Sequence, residues 1–242
     1  MGVLRTVLSR GVRFYSRLAI NPVQEASLNE TCILVDANDK VVGKASKEQC
    51  HLVGPNGEIP LHRAFSVFIF NSQHDLLLQK RSSTKITFPN HVTNSCCSHP
   101  LHDWEDERVE EDAIGIKQAA RRRLQYELGI PKSLIDPKDI VYLTRVHYKD
   151  TGDGVWGEHE VDYILFIIGK DLPLRPNPEE VSHISYLRRS DFDSYLANLV
   201  DPVTPWFSLI AKSYLTTWWD NLSRISQYQD HKSITNFTKS TP

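Results

Sequence analysis

No apolar run in this sequence approaches the roughly 20 residues needed to cross a bilayer. The longest, such as Tyr163 to Ile168, are a fraction of that length, so a soluble chain with no membrane span is expected. A clustered excess of lysine and arginine is also missing. The formal net charge is −2, with acids and bases interspersed, which leaves no basic patch for a dedicated nucleic-acid binder. Cysteine is scarce: Cys32, Cys50, Cys96 and Cys97 are the only four. They do not make a secreted disulfide framework, and neighbours such as Cys96 and Cys97 pair only with backbone strain. A reducing compartment fits them. Internal repeats and low-complexity tracts are absent, and the polar segment Ser233 to Pro242 carries no Ser-Lys-Leu type of address.

Acidic residues are missing before Glu25, where Arg5, Arg10, Arg13 and Arg17 punctuate an apolar, Ser-containing stretch. That pattern predicts a mitochondrial presequence, and Arg13-Phe14-Tyr15-Ser16 resembles a matrix-protease site cut after Tyr15. A downstream start would leave the protein in the cytoplasm or peroxisome instead. The remaining length suits one hydrophobic core. The expected organisation is therefore a presequence or tail over residues 1–24, one domain over 25–231 and a polar tail over 232–242.

What is present reads as alternating sheet and helix. Apolar, β-branched runs at Cys32–Asp36, Lys40–Lys44, Ala64–Asn71 and Asp75–Arg81, separated by Asx- and Gly-containing turns, predict strands and hairpins. Apolar residues at helical spacing (Ala113, Ile116, Ala120, Leu124, Leu128) predict a helix over Glu110 to Leu128, stopped by Gly129 and Pro131. Strands are expected at Ile140–Tyr148, Glu158–Ile168 and His183–Leu187, and a short helix at Asp191–Leu199. A final helix is expected from Pro205 to Asn221 with Thr204 as N-cap, with Trp218 in the core and Trp219 at the surface. Strands on both sides of a central helix predict an α/β sandwich.

Two short runs carry chemistry. Thr93-Asn94-Ser95-Cys96-Cys97-Ser98-His99-Pro100 puts a thiol two residues from an imidazole among turn formers. Trp156-Gly157-Glu158-His159-Glu160-Val161-Asp162-Tyr163 reads as a strand, whose period of two turns Glu158 and Glu160 to one face and His159 to the other. A thiol and a carboxylate facing each other across a substrate can donate a proton at one carbon and remove one at another.

The segment Arg122-Arg123-Leu124-Gln125-Tyr126-Glu127-Leu128-Gly129-Ile130 resembles the tail of the Nudix box, Arg-Glu-x-x-Glu-Glu-x-Gly in the hydrolases. Arg123 and Tyr126 replace two of its glutamates, Ile114 stands at the upstream one, and Glu127 alone survives. With Leu61-His62-Arg63-Ala64-Phe65, the two runs above and Thr204-Pro205-Trp206-Phe207, the chain closely resembles the type I isopentenyl-diphosphate Δ-isomerases over roughly Thr31 to His231. The resemblance implies a Nudix-like α/β/α sandwich with a mixed sheet. It also implies the interconversion of isopentenyl and dimethylallyl diphosphate in isoprenoid and sterol-type synthesis.

Carried over residue by residue, the resemblance implies that His51, His62, His99, Glu158 and Glu160 ligate one divalent ion. Glu127 and the Cys97 carbonyl would hold a second, Mg²⁺, on the diphosphate. Mg²⁺, Mn²⁺ and Zn²⁺ all accept such a His/Glu set. Lys47, Arg81, Lys85 and Ser98 fall on diphosphate-binding positions, Cys97 on the catalytic thiol, Glu160 on the opposing carboxylate, Tyr148 on the tyrosine that assists it, and Trp206 on an aromatic wall. Cys96 is expected to point into the protein. The expected partner is a small diphosphate, and a monomer is expected. Taken singly, each histidine would more often be structural and each cation a solvated surface residue; their joint occurrence reverses that. A Nudix pyrophosphohydrolase is disfavoured by the lost glutamates, and an inactive Nudix-like binding module by the presence of Cys97 and Glu160. A thiol protease would leave Glu158 and Glu160 unexplained.

Overall fold

The computed structural model describes residues 21–238. The arginine-punctuated stretch (Arg5, Arg10, Arg13, Arg17) and the expected cleavage site at Tyr15 lie outside the described residues. In chain order the elements are α1 (Pro22–Ser27), β1 (Thr31–Val35), β2 (Val41–Ser46), α2 (Lys47–His51), β3 (His62–Ile69), β4 (Leu76–Arg81), β5 (Val92–Thr93) and β6 (Cys96–Ser98). Then come α3 (Ile114–Leu128), β7 (Ile140–Asp150), β8 (Glu158–Ile167), β9 (Val181–Leu187), α4 (Phe192–Asn198), α5 (Pro205–Ile210), α6 (Thr216–Trp219) and β10 (Ile234–Asn236).

The main sheet runs β10-β7-β8-β3-β1-β2, with β6 also paired to β3. β3 and β8 are parallel while β7 and β8 are antiparallel, so the sheet is mixed. A smaller sheet, β5-β4-β9, lies beside it. The strand period of two divides the core. Phe65, Val67 and Ile69 of β3 and Val161, Tyr163 and Leu165 of β8 meet α3 on one face. Phe68, Phe70, Ile164 and Phe166 meet the carboxy-terminal helices on the other. This is the expected α/β/α sandwich. Burial on both faces is also why β8 reads as a nearly continuous apolar run.

Helix α3 begins later than its periodicity predicts. Asp112 (φ 49°) and Ala113 (φ 53°) are left-handed, so the continuous helix starts at Ile114 rather than Glu110. The close approach of Gly115 fits this bend, since a Cβ there would lie 2.4 Å from the Glu107 carbonyl oxygen. The stop is where Gly129 predicts it, in the left-handed conformation at φ 67°. Leu124 and Leu128 have no exposed surface, and burying each contributes about 1.5–3 kcal/mol.

The last helix runs without a break from Pro205 to Trp219, close to the span expected, but it is not α-helical throughout: a π-helical turn at Ala211–Leu215 joins α5 to α6. Thr204 is the N-cap residue of α5, as expected, but its side chain makes no capping bond, because its hydroxyl is bonded to Thr93 Oγ1 at 2.8 Å. Trp218 and Trp219 are both buried, correcting the expectation that Trp219 is at the surface. Trp218 stacks on Tyr214, while Trp219 is covered by Phe70 and by Phe192 of α4. The folded unit also extends past the expected boundaries at both ends. Gln24 of α1 is buried and bonded to Glu180, and β10 adds a parallel strand to β7. Burial and pairing therefore bring residues 21–24 and 232–238 into the domain.

Candidate functional site

The site grows from the register of three adjacent strands. His62 on β3 lies opposite Glu160 on β8, and Tyr148 on β7 lies opposite Glu160 from the other side. Partners directly opposite share a face, so the imidazole and the phenol converge on one carboxylate. The Tyr148 hydroxyl donates to Glu160 Oε2 at 2.5 Å. Glu158, two residues earlier on the same face, meets His51 at the end of α2, with Nε2 and Oε2 2.9 Å apart. His99, just past β6, places Nε2 2.8 Å from Glu160 Oε1. His159 points away, toward His147.

These five buried residues offer ligand atoms that all lie within 4.8 Å of one another. The three imidazole rings are 4.9 Å apart pairwise, centroid to centroid. Backbone carbonyls set two tautomers. His51 Nδ1 donates to Lys47 O at 2.6 Å and His62 Nδ1 to Pro60 O at 2.9 Å, which turns the Nε2 atoms inward. His62 Nε2, His99 Nδ1 and Glu158 Oε2 are buried without hydrogen-bond partners. Acceptors crowded this closely need a cation between them, and three imidazoles with two carboxylates fit a divalent ion. Burial works to lower the pKa of His62, but the Glu160 contact overrides it and raises the group to about 9.

β6 separates the adjacent cysteines. Cys97 pairs with Ser66 and Cys96 with Val67, so the two thiols fall on opposite faces. Cys96 is fully buried in the core against α3, whereas Cys97 is half-buried and lines a cleft with Tyr148, Glu158 and Glu160. Burial raises the Cys97 pKa to about 12, against the pull of Arg81, whose Nη1 lies 3.8 Å from Sγ. Glu160 shifts downward: burial opposes ionisation, but the adjacent His62 imidazole outweighs it. The two shifts run in opposite directions, the thiol upward toward its protonated form and the carboxylate downward toward its ionised form. Separated pKa values of this kind assign an acid and a base.

Lys47, Arg81, Lys85, Ser98 and Trp206 line the same cleft, as do His51 and His99, while His62 lies behind it. The Trp206 ring is both core and wall. It is buried, carries the Arg81 guanidinium 5.6 Å from its centroid, and donates from Nε1 to Asn94 Oδ1 at 3.0 Å. Glu127 stands apart from the five clustered ligands. Its Oε1 accepts from Arg123 at 2.7 Å and its Oε2 from Gln79 at 3.2 Å, so the surviving Nudix glutamate is held by a cation that replaces another.

Three contributors escape a reading of the sequence. Asn94 bonds Trp206 and the carbonyls of Val67 and Cys96, fixing the thiol-bearing strand. Arg123 lines the cleft. Asp162 is buried below Glu160, with Ser66 donating to its Oδ2 at 2.8 Å, and burial followed by the Glu160 charge raises its pKa. The period of two that selected Glu158 and Glu160 also reaches Asp162, and Arg123 and Asn94 stand inside the motifs already singled out, where their residue types alone did not assign them a role.

A NUDIX domain model matches residues 60–207. The chain is 49% identical to isopentenyl-diphosphate Delta-isomerase 1 of Mesocricetus auratus, covering 86% of this chain and 92% of that protein. It is 48% identical to isopentenyl-diphosphate Delta-isomerase I of Clarkia breweri, covering 85% and 74%. Among solved structures, a NUDIX hydrolase from Alicyclobacillus acidocaldarius superposes with a TM-score of 0.52 at 10% identity over 70% of this chain and 97% of that one, which is a likeness of fold. With a family model covering more than half of its length and close relatives covering most of it, the chain belongs to the isopentenyl-diphosphate Delta-isomerase family, built on a NUDIX domain.

Proposed function

We propose that the protein interconverts isopentenyl diphosphate and dimethylallyl diphosphate in isoprenoid synthesis. The single observation that carries this is the placement of the Cys97 thiol and the Glu160 carboxylate on one cleft. Moving the double bond requires a proton to be added at the terminal carbon and another to be taken from carbon two. Cys97 donates the first and becomes a thiolate. The electrons of the double bond form the new C–H bond and leave a tertiary cation, which Glu160 quenches by accepting the second proton. Tyr148 holds Oε2 of that carboxylate in place. The proton gained by Glu160 and the one lost by Cys97 balance through solvent before the next turnover. The Trp206 face lies at the cleft, and an indole stabilises a cation by about 2 kcal/mol when water is excluded. Lys47, Arg81 and Lys85 supply positive charge for the diphosphate.

His51, His62, His99, Glu158 and Glu160 would hold a divalent ion, which supplies fixed positive charge beside the reacting carboxylate. We assign Mg²⁺ to the diphosphate and Mg²⁺, Mn²⁺ or Zn²⁺ to the five-residue set. Chelation with EDTA is expected to abolish isomerisation and lower the unfolding midpoint, and added divalent ion to restore both. Metal-free protein with full activity would contradict the assignment. The test of the function itself is incubation with isopentenyl diphosphate in deuterated water. The expected products carry deuterium in the new methyl group, and recovered substrate carries it at carbon two. Release of phosphate or pyrophosphate without isomerisation would favour a pyrophosphohydrolase instead, although Arg123 occupies the place of a metal-binding glutamate on α3.

A further inference from the structure

Glu180, at the turn leading into β9, is a buried carboxylate that the proton-transfer scheme does not use. Its Oε2 lies 2.6 Å from Lys85 Nζ and 3.1 Å from Arg123 Nη2, and both cations line the cleft beside Cys97. Its Oε1 accepts from Gln24 Nε2 of α1 at 2.9 Å, and the same amide reaches the Glu179 carbonyl at 3.2 Å. The backbone joins in: Ser82 N donates to Glu180 O at 2.9 Å and Lys85 N to Ser82 O at 3.2 Å, so the Lys85 loop hangs from this turn. Burial works to raise the Glu180 pKa, but Lys85 and Arg123 override it and hold the group at about 2.

We propose that Glu180 is a positioning residue of the diphosphate site: one buried carboxylate locks the Lys85 ammonium and the Arg123 guanidinium into a single clamp, and Gln24 locks the carboxylate in turn. The inference rests on the isomerase reading above and deepens it. Arg123 has a second anchor in Glu127 at 2.7 Å. Lys85 has no other ion pair among the described residues, and the charges that face it are Glu180 and Glu127 against Arg81 and Lys47. Burial already lowers its pKa, and Glu180 is the main group that opposes this. Without Glu180 the ammonium loses its orientation, and burial lowers its pKa with less opposition. The N-terminal helix, remote from the reacting atoms in sequence, thereby controls how the substrate is gripped.

The test is steady-state kinetics on the full chain with isopentenyl diphosphate, for wild type and the variants Glu180→Gln, Glu180→Asp and Gln24→Leu. Loss of one oriented, charge-assisted contact predicts a KM for Glu180→Gln that is about tenfold higher, with a much smaller change in kcat. That rise should grow from neutral to alkaline pH as Lys85 deprotonates. Glu180→Asp keeps the charge, so its KM should rise without the added pH dependence. Gln24→Leu should raise KM about threefold in the same sense. Removing an anion from an anion site would by itself lower KM, so an unchanged or lower KM in Glu180→Gln overturns the proposal. If Glu180→Gln does not fold, wild-type KM values in both other variants overturn it equally. Binding of inorganic pyrophosphate, measured by calorimetry, reads the clamp apart from turnover. Wild type that grips pyrophosphate more tightly than the variants but does not isomerise would sink the isomerase reading and keep the clamp.

Discussion

Cys97→Ala is expected to lose isomerisation while keeping its fold, and Cys96→Ala to keep most of its activity. A positioned general acid contributes about 10²–10⁴-fold to rate, and among the described residues Cys97 is the only thiol on the cleft. Its side chain is half-buried at the edge of the second core cluster, with one long polar contact, to Arg81 at 3.8 Å, so removing it disturbs the packing less than a fully buried residue would. Cys96 faces α3 with no exposed surface and acts as a small hydrophobe. Its truncation should cost stability, on the order of 1 kcal/mol, rather than rate. Serine at position 97 should fare little better than alanine, because a hydroxyl is a far weaker acid than a thiol. Since an acid works only while protonated, loss of the Cys97 proton should not limit the rate until the pH nears about 12. Isomerisation rates set beside thermal unfolding decide the matter. An active Cys97→Ala and a dead, folded Cys96→Ala would mean that the wrong thiol has been assigned.

Glu160→Gln should be equally inactive for a different reason, with metal content as the distinguishing measurement. This carboxylate accepts from Tyr148 at 2.5 Å, lies 2.8 Å from His99 Nε2 and 3.6 Å from His62 Nε2, and belongs to the five-residue cluster. An amide keeps the shape but loses the base and the charge. Turnover should fall by at least about 10²-fold, and bound metal, measured by elemental analysis, should fall with it. Cys97→Ala, outside the cluster, should retain its metal. A Glu160→Gln protein with wild-type metal and appreciable turnover would remove Glu160 from both roles.

Much of the architecture was legible because secondary structure has short-range causes. The period of two in Glu158-His159-Glu160 correctly separated an inward carboxylate pair from an outward imidazole, and β-branched runs marked β1, β3, β4 and β7. Gly129 marked the end of α3 because it supplies the left-handed conformation at low cost. The start of α3 was misread because spacing alone carries no trace of the left-handed pair Asp112–Ala113. The carboxy-terminal helix was legible as a span, but local pattern showed neither its π-helical turn nor the cover that Phe192 supplies to Trp219.

The amino-acid sequence by itself determined which residue types were present for the chemistry and, through a resemblance spread over several motifs, which family they belong to. Tertiary structure alone decided how they meet. His51, His62 and His99 stand in three separate segments, and their convergence depends on the parallel pairing of β3 with β8 and the antiparallel pairing of β3 with β6. A one-residue slip in either pairing would turn each site residue to the opposite face. Partition of Cys96 from Cys97, capture of Glu127 by Arg123, and the bond from Gln24 to Glu180 across 156 positions are of the same kind. They are set by register and burial between distant segments, and local periodicity reports only the neighbours of a residue along the chain.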